Sequence, residues 1–137
     1  MNLLKHFMFA VLVCFAFTSS AQGLIIVANT NDNLKIEKRQ VRDLFMGNNS
    51  QLSLQPIALS PSSETRFVFN TKIVGLTESR IQSYWTQMRF SGRRRPPKEF
   101  DSIEKVLEYL KSTPGSVAYI PSGTEIPSEL TVIYQVD

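Results

Sequence analysis

The order of elements over residues 84–121 constrains the fold of this chain more than any other feature. Tyr84 and Trp85 lie on the apolar stripe of a helix, and Gly92 followed by two prolines ends that helix. A second helix and then a short apolar strand at residues 117–120 come next. Helices that alternate with buried strands are typical of α/β domains, because crossover helices connect parallel strands.

The rest of the chain repeats this alternation. The predicted strands are residues 24–28, 52–59 (with Pro56 limiting their pairing), 117–120 and 130–136. The predicted helices are one that contains residues 41–45, one over about residues 63–74, one capped by Thr77, and one begun by a capping box of Asp101 and Glu104. We therefore predict an α/β fold with a mainly parallel mixed sheet, flanked by about four helices.

Residues 1–21 have the pattern of a cleaved secretory signal peptide. Two basic residues precede an apolar run at residues 7–17, which is too short for a stable membrane span. Ser19 and Ala21 are small residues at the positions that a signal peptidase reads. We expect cleavage after Ala21, a periplasmic or secreted protein, and no stable membrane span after cleavage. An uncleaved anchor and a lipoprotein modified at Cys14 are the alternatives.

Signal cleavage restricts the chemistry that the mature chain can perform. Removing 21 of the 137 residues leaves 116, enough for one compact domain over residues 22–137. The only Cys and the only His leave with the signal, so no thiol nucleophile, imidazole base or histidine metal ligand remains. We predict no cofactor, no metal and no enzyme activity, although a Ser–Lys pairing stays open. A slight excess of basic residues does not predict a nucleic-acid partner.

Residues 60–66, here called the serine loop, form the first candidate site. Hydroxyl residues at a strand end that begins a helix present free amides and the positive end of the helix dipole to one point, where an anion can bind. Arg66 in the first helical turn opposes the dipole, which favours a role in binding an oxyanion. The candidate anion ligands are Ser62, Ser63, Thr65 and Arg66. The alternative is a simple helix cap, with Arg66 paired to Glu64 or Asp43.

Three adjacent arginines, Arg93, Arg94 and Arg95, form the second candidate, here called the arginine loop. Two prolines keep this segment extended, and its charges fit a contact with anionic lipid headgroups, a polyanion or an acidic partner. The alternative is a solvated surface turn. Tyr84 and Trp85 face the apolar side of their helix, so we expect core packing from them and no base-stacking platform.

Several short segments, in the same order, resemble the phosphate ABC-transporter substrate-binding proteins, in particular their short single-domain members. These segments are residues 41–47, 63–69, 84–85, 90–92, 96–97 and 114–120. Within them, Ser63, Thr65 and Arg66 match the ligand loop of the family and its following helix, and Glu64 stands where the family has glycine. The resemblance covers nearly all of residues 24–136.

The resemblance implies a single lobe with a type 2 periplasmic binding protein-like fold. It also implies phosphate binding through hydroxyls, backbone amides and an arginine, and a link to ABC-type phosphate uptake. We therefore hypothesise a secreted or periplasmic solute-binding-like protein for phosphate or a similar oxyanion. Glu64 and the room for only one lobe motivate an alternative, which is a non-enzymatic envelope interaction module that keeps the fold without the ligand. In that hypothesis, the partner is an envelope protein bound through the arginine loop.

Overall fold

One five-stranded mixed sheet organises the chain. The structure is a computed structural model that describes residues 22–48 and 51–137, so the predicted signal peptide lies outside the described residues. The strands are β1 (Leu24–Ala28), β2 (Gln55–Leu59), β3 (Lys98–Phe100), β4 (Ser116–Pro121) and β5 (Thr131–Val136). Their order across the sheet is β3-β2-β4-β1-β5.

Strand direction agrees with the predicted mainly parallel sheet. Strand β2 runs parallel to both of its neighbours, β3 and β4, whereas β1 runs antiparallel to both β4 and β5. Four of the five strands therefore point the same way, and β1 alone is reversed. The helices are α1 (Lys38–Phe45), α2 (Glu64–Phe69) with a π-helical turn at Asn70–Val74, α3 (Glu78–Phe90) and α4 (Ile103–Ser112). The predicted α/β class and the four helices are confirmed.

The core lies against the three inner strands of the sheet, β2, β4 and β1. Every residue of β1 is buried, which explains its uninterrupted apolar sequence. Helix α1 buries Val41, Leu44 and Phe45, and α4 buries Val106 and Leu110. Each such side chain contributes roughly 1.5–3 kcal/mol when it leaves water. Trp85 is buried as predicted, and Tyr84 is half-buried with its hydroxyl donating to the Met46 carbonyl at 2.7 Å.

Side-chain caps begin three of the helices. Ser63, Thr77 and Ser102 each accept a hydrogen bond from the third backbone N–H of α2, α3 and α4, respectively. The predicted capping box at Asp101 is wrong, because Ser102 is the N-cap residue of α4. Asp101 lies one residue outside the helix, and its exposed carboxylate is 3.6 Å from Lys105 Nζ.

The helix predicted over residues 63–74 is not uniform. Its second half is a π-helical turn that ends at Gly75, whose N–H donates to the Asn70 carbonyl five residues earlier at 2.7 Å. The buried Asn70 side chain donates to Glu78 Oε1 at the start of α3. The first residue of the irregular turn, Asn70, thus contacts the start of the next helix through its side chain.

Gly47 and Gly92 provide a matched test of side-chain packing at the end of a helix. Both have positive φ angles, 70° and 68°, in turns that end α1 and α3. A Cβ atom on Gly47 would lie 3.1 Å from both Trp85 and Arg94, whereas a Cβ on Gly92 would meet nothing within 4 Å. We expect Gly92→Ala to lower the free energy of unfolding by about 1–2 kcal/mol, the cost of a left-handed alanine.

We expect Gly47→Ala to lower it by about 2–4 kcal/mol, because overpacking adds to the backbone cost. Urea denaturation of both variants measures the difference. Equal losses in the two variants would contradict this placement of Trp85 and Arg94.

Candidate functional site

The serine loop connects the carboxyl end of β2 to α2. The Ser60 N–H donates to the Phe100 carbonyl at the end of β3, and the Ser63 N–H donates to the Ser60 carbonyl. The Ser60 and Ser62 hydroxyls are 3.2 Å apart, and Ser63 Oγ accepts from the Arg66 N–H at 3.3 Å. The loop is therefore a closed turn fixed to the neighbouring strand.

The first turn of α2 leaves donors available. In the described part of the chain, the backbone N–H groups of Glu64 and Thr65 have no hydrogen-bond acceptor, because Ser63 caps only the Arg66 N–H and the Phe67 N–H returns to the Ser63 carbonyl. The Ser62 side chain is exposed and Thr65 is buried. Two free amides and the hydroxyl of the exposed Ser62 are groups that can bind an oxyanion.

Arg66 is buried and its guanidinium is largely engaged by protein groups. Nε and Nη2 donate to the two Glu78 oxygens at 2.6 and 2.8 Å, in a bidentate pair. Nη1 donates to Glu99 Oε2 and to the Leu59 carbonyl, both at 2.8 Å. These four bonds use four of the five N–H donors of an arginine side chain.

The arginine contacts therefore join four elements. Arg66 is on α2, Leu59 ends β2, Glu78 begins α3 and Glu99 is in β3. Glu78 also accepts hydrogen bonds from Asn70 and Gln82, so its oxygens are well satisfied. One cation and two carboxylates leave this cluster with a net charge of about −1, since arginine is always protonated.

The electrostatic shifts follow from these contacts. Burial alone raises the pKa of Glu78, but hydrogen bonds from Arg66, Gln82 and Asn70 outweigh burial and hold that pKa below the usual glutamate value. Burial alone lowers the pKa of Arg66, and its hydrogen bond to Glu78 with the nearby negative charges raises it above the usual arginine value. The ion pair is therefore charged at neutral pH.

Tyr119 also binds the end of β2. Its hydroxyl accepts from the Leu59 N–H at 3.1 Å, so both backbone groups of Leu59 are bound by side chains, the N–H by Tyr119 and the carbonyl by Arg66. The Tyr119 ring stacks on Phe69 with centroids 4.0 Å apart. Burial raises the pKa of Tyr119, so its hydroxyl stays neutral.

A small cavity borders Arg66 on the core side. Its volume is about 40 Å³, and its lining mixes aromatic rings, among them Phe69, Trp85 and Tyr119, with polar side chains such as Asn70 and Glu99. That volume suits about one or two water molecules.

The structure places the four predicted ligands in different roles. Ser62 is exposed, Ser63 is the helix cap, Thr65 is buried, and Arg66 is in the ion-pair cluster. The predicted pairing of Arg66 with Glu64 or Asp43 differs from the observed partners, Glu78 and Glu99. Asp43 instead lies 3.9 Å from Arg39.

Sequence reasoning missed both of these partners. Glu78 has the pattern of an ordinary first-turn acid of α3, and Glu99 that of an exposed residue. Parallel pairing of β2 with β3 places Glu99 opposite Ala58, near the end of β2, and β3 is not among the predicted strands.

The arginine loop lies apart from the serine loop. Arg94 donates to Asn48 Oδ1 at 2.8 Å, after the end of α1, whereas the side chains of Arg93 and Arg95 are exposed. Over residues 22–48 and 51–137, there is no group of three or more His, Cys, Asp or Glu side chains that would hold a metal ion. No helix in that same part of the chain is long and apolar enough to cross a membrane.

Comparison with known proteins gives matches by structure alone. No family model and no curated protein matches the chain. An ABC-type phosphate transport receptor from Vibrio cholerae is 15% identical, with a TM-score of 0.61 over 82% of this chain and 45% of that one. A phosphate ABC-transporter substrate-binding protein from Clostridium perfringens, solved with bound phosphate, is 13% identical, with a TM-score of 0.62 over 82% and 44%.

PstS from Borrelia burgdorferi is also similar, at 17% identity and a TM-score of 0.50 over 74% of this chain and 41% of that one. The chain thus spans less than half the length of these solved proteins. At such low identity, the likeness shows the fold. The predicted resemblance to phosphate ABC-transporter substrate-binding proteins is confirmed at that level.

The ion-pair cluster makes a prediction about stability. We expect Arg66→Met to lower the free energy of unfolding by about 2–4 kcal/mol, because it takes a donor from the Leu59 carbonyl and leaves two partly exposed carboxylates with no cation. Urea denaturation measures the loss. Arg39→Met is the control, since Arg39 is an exposed arginine with a distant partner, and we expect a change within about 0.5 kcal/mol. A small loss in both variants would contradict the cluster.

Glu78 predicts a specific dependence of stability on pH. A glutamate whose pKa is held below its unfolded value, about 4.3, stabilises the fold above that pH and loses this contribution as the pH falls through the folded pKa. The difference in unfolding free energy between wild type and Glu78→Gln should therefore shrink below about pH 4. Urea denaturation from neutral to acidic pH measures it, with the exposed Glu129→Gln as the control. A difference that stays constant with pH would contradict this assignment.

Proposed function

We propose that the protein is a non-enzymatic, solute-binding-like protein of the cell envelope that binds phosphate or a similar small oxyanion at the serine loop. The observation that carries this proposal is the pair of unbonded amides at Glu64 and Thr65, in the same loop as the exposed Ser62, at the carboxyl end of β2. The fold supports it, because similar solved proteins are named for phosphate transport and one was solved with bound phosphate. Secretion through residues 1–21 belongs to the same proposal.

Within this proposal, the candidate residues have different roles. Ser62 and the first-turn amides touch the anion. Ser63 fixes the helix start, and Arg66 is a positioning residue that holds the Leu59 carbonyl, next to Ser60. Because the Arg66 guanidinium already makes four hydrogen bonds, it has no free pair of N–H donors for bidentate binding of a ligand.

The local charges favour weak binding. The Arg66 cluster is net negative, and the exposed Glu64 carboxylate lies in the same first turn as the free amides. Like charge opposes an incoming dianion, so we expect a dissociation constant on the order of 1 mM.

Calorimetric titration of the purified protein with phosphate and with sulfate tests the proposal. Glu64→Gln should tighten binding by roughly three-fold, because it removes a nearby negative charge. Ser62→Ala should weaken it by roughly five-fold, the loss of one hydrogen bond. Ser128→Ala, which changes an exposed serine in a distant loop, is the control and should have no effect. No heat of binding in either wild type or Glu64→Gln at tens of millimolar anion would rule out this function.

A second function is favoured by one observation, which is that the Arg66 guanidinium already binds two glutamates of the protein itself. In that case, the protein keeps the binding-protein fold without the ligand and acts as an accessory module that contacts another envelope component through the arginine loop. Its signature is an absent anion response together with an association that is lost when Arg93 and Arg95 become serine. The two functions therefore give opposite results in the titration.

A further inference from the structure

The last turn of α3 and the segment after it form an exposed tip that combines one aromatic ring with several cations. Phe90 is 96% exposed, and only Phe67, at 69%, is another exposed large hydrophobic residue in the described chain. The tip comprises Arg89, Phe90, Arg93, Arg94 and Arg95, and we call it the arginine tip. A single exposed ring is common on protein surfaces, but here the ring of Phe90 shares one exposed surface with several arginines.

Backbone hydrogen bonds hold this tip in one shape. The Gly92 N–H donates to the Arg89 carbonyl, and the Arg93 N–H donates to the Met88 carbonyl, at 3.0 and 3.1 Å. With Gly92 in the left-handed region, this is a Schellman helix end. Arg94 bonds to Asn48, which ties the arginine loop to the body of the domain. The backbone that carries Phe90 and the arginines is therefore ordered before binding.

The positive charge at the tip is not compensated by the protein. From Ser79 to Lys98, the sequence has six basic residues and no acidic one. In the described part of the chain, Arg89, Arg93 and Arg95 make no ion pair. The tip is the opposite of the Arg66 cluster, where carboxylates outnumber the cation.

We propose that the arginine tip docks the protein on an anionic lipid bilayer, with Phe90 inserted among the lipid chains near the headgroups and the arginines bound to lipid phosphates. A ring inserted at the bilayer interface and surrounded by cations is the usual arrangement of a peripheral membrane contact. A protein partner fits less well, because a stable interface buries about 800 Å² on each side around an apolar centre. Phe90 is the only exposed large apolar side chain at this tip.

This docking is independent of anion binding at the serine loop, and it supplies a lipid surface as the contact for the arginine loop. The interaction should be reversible and salt-dependent, since one ring and a few cations are a weak anchor. Each arginine near an anionic surface strengthens partitioning by roughly five-fold.

Co-sedimentation with phosphatidylglycerol vesicles in low salt tests the proposal, with phosphatidylcholine vesicles as the uncharged control. We expect binding to the anionic vesicles that is lost at high salt. Arg93→Ser with Arg95→Ser should weaken the partition roughly 25-fold, and Phe90→Ser at least roughly five-fold. The matched controls are Phe67→Ser, which changes the other exposed phenylalanine, and Lys38→Ser with Arg39→Ser, which removes two exposed cations from α1. Both should bind as wild type does.

Phe90→Trp supplies a direct probe of insertion. Its fluorescence should shift to shorter wavelength on anionic vesicles and be quenched by lipids brominated in the acyl chain. The phosphate titration repeated on Phe90→Ser should match wild type, so failure of docking and failure of anion binding are separate results.

Two outcomes would overturn the proposal. The first is no binding to anionic vesicles in low salt by protein that is folded. The second is binding that depends on the arginines but not on Phe90, which would make the tip a general polyanion or acidic-protein contact.

Discussion

The buried ion pairs of Arg66 are the interaction on which the arrangement of this domain depends. One guanidinium joins β2, β3, α2 and α3, because it bonds the Leu59 carbonyl, Glu99 and both oxygens of Glu78. A buried charge is tolerated only when it is paired and hydrogen-bonded, so the position of each partner is fixed by this one side chain. The serine loop leaves β2 directly after Leu59, and its shape follows from the same contacts.

This arrangement changes the meaning of an arginine at the start of a helix. By sequence, Arg66 opposes the helix dipole and therefore indicates an external anion. In the structure, protein carboxylates take the place of that anion, and the donors that remain are the backbone amides of Glu64 and Thr65. The electrostatic potential at the serine loop is therefore weak or negative. The uncompensated cations of the arginine tip lie at the C-terminal end of α3 and after it. The proposed anion site and the proposed membrane contact are therefore different surfaces of the molecule.

Most of the fold follows from local patterns in the sequence. Three local patterns predict structure that is observed. The apolar run of β1 predicts a buried strand, the stripe that carries Trp85 predicts a core-facing helix, and the glycine after α1 predicts the end of that helix. The site was less predictable, because Glu78 and Glu99 are 12 and 33 residues from Arg66 and meet it only through the pairing of β2 with β3. Local spacing contains no information on such contacts. The choice of Ser102 over Asp101 as a cap likewise depends on where the helix axis begins.

The most direct measurement is a phosphate titration followed by ¹⁵N-resolved NMR, because it locates the contact as well as detecting it. We predict that phosphate changes the chemical shifts of the Ser62, Glu64 and Thr65 amides. The Nε–H signal of Arg66 and its bond to Glu78 should stay unchanged. A large shift of the Arg66 Nε–H, or shifts confined to the arginine loop, would contradict this prediction. The first result would make Arg66 a ligand of the anion, and the second would place the anion contact at the arginine loop.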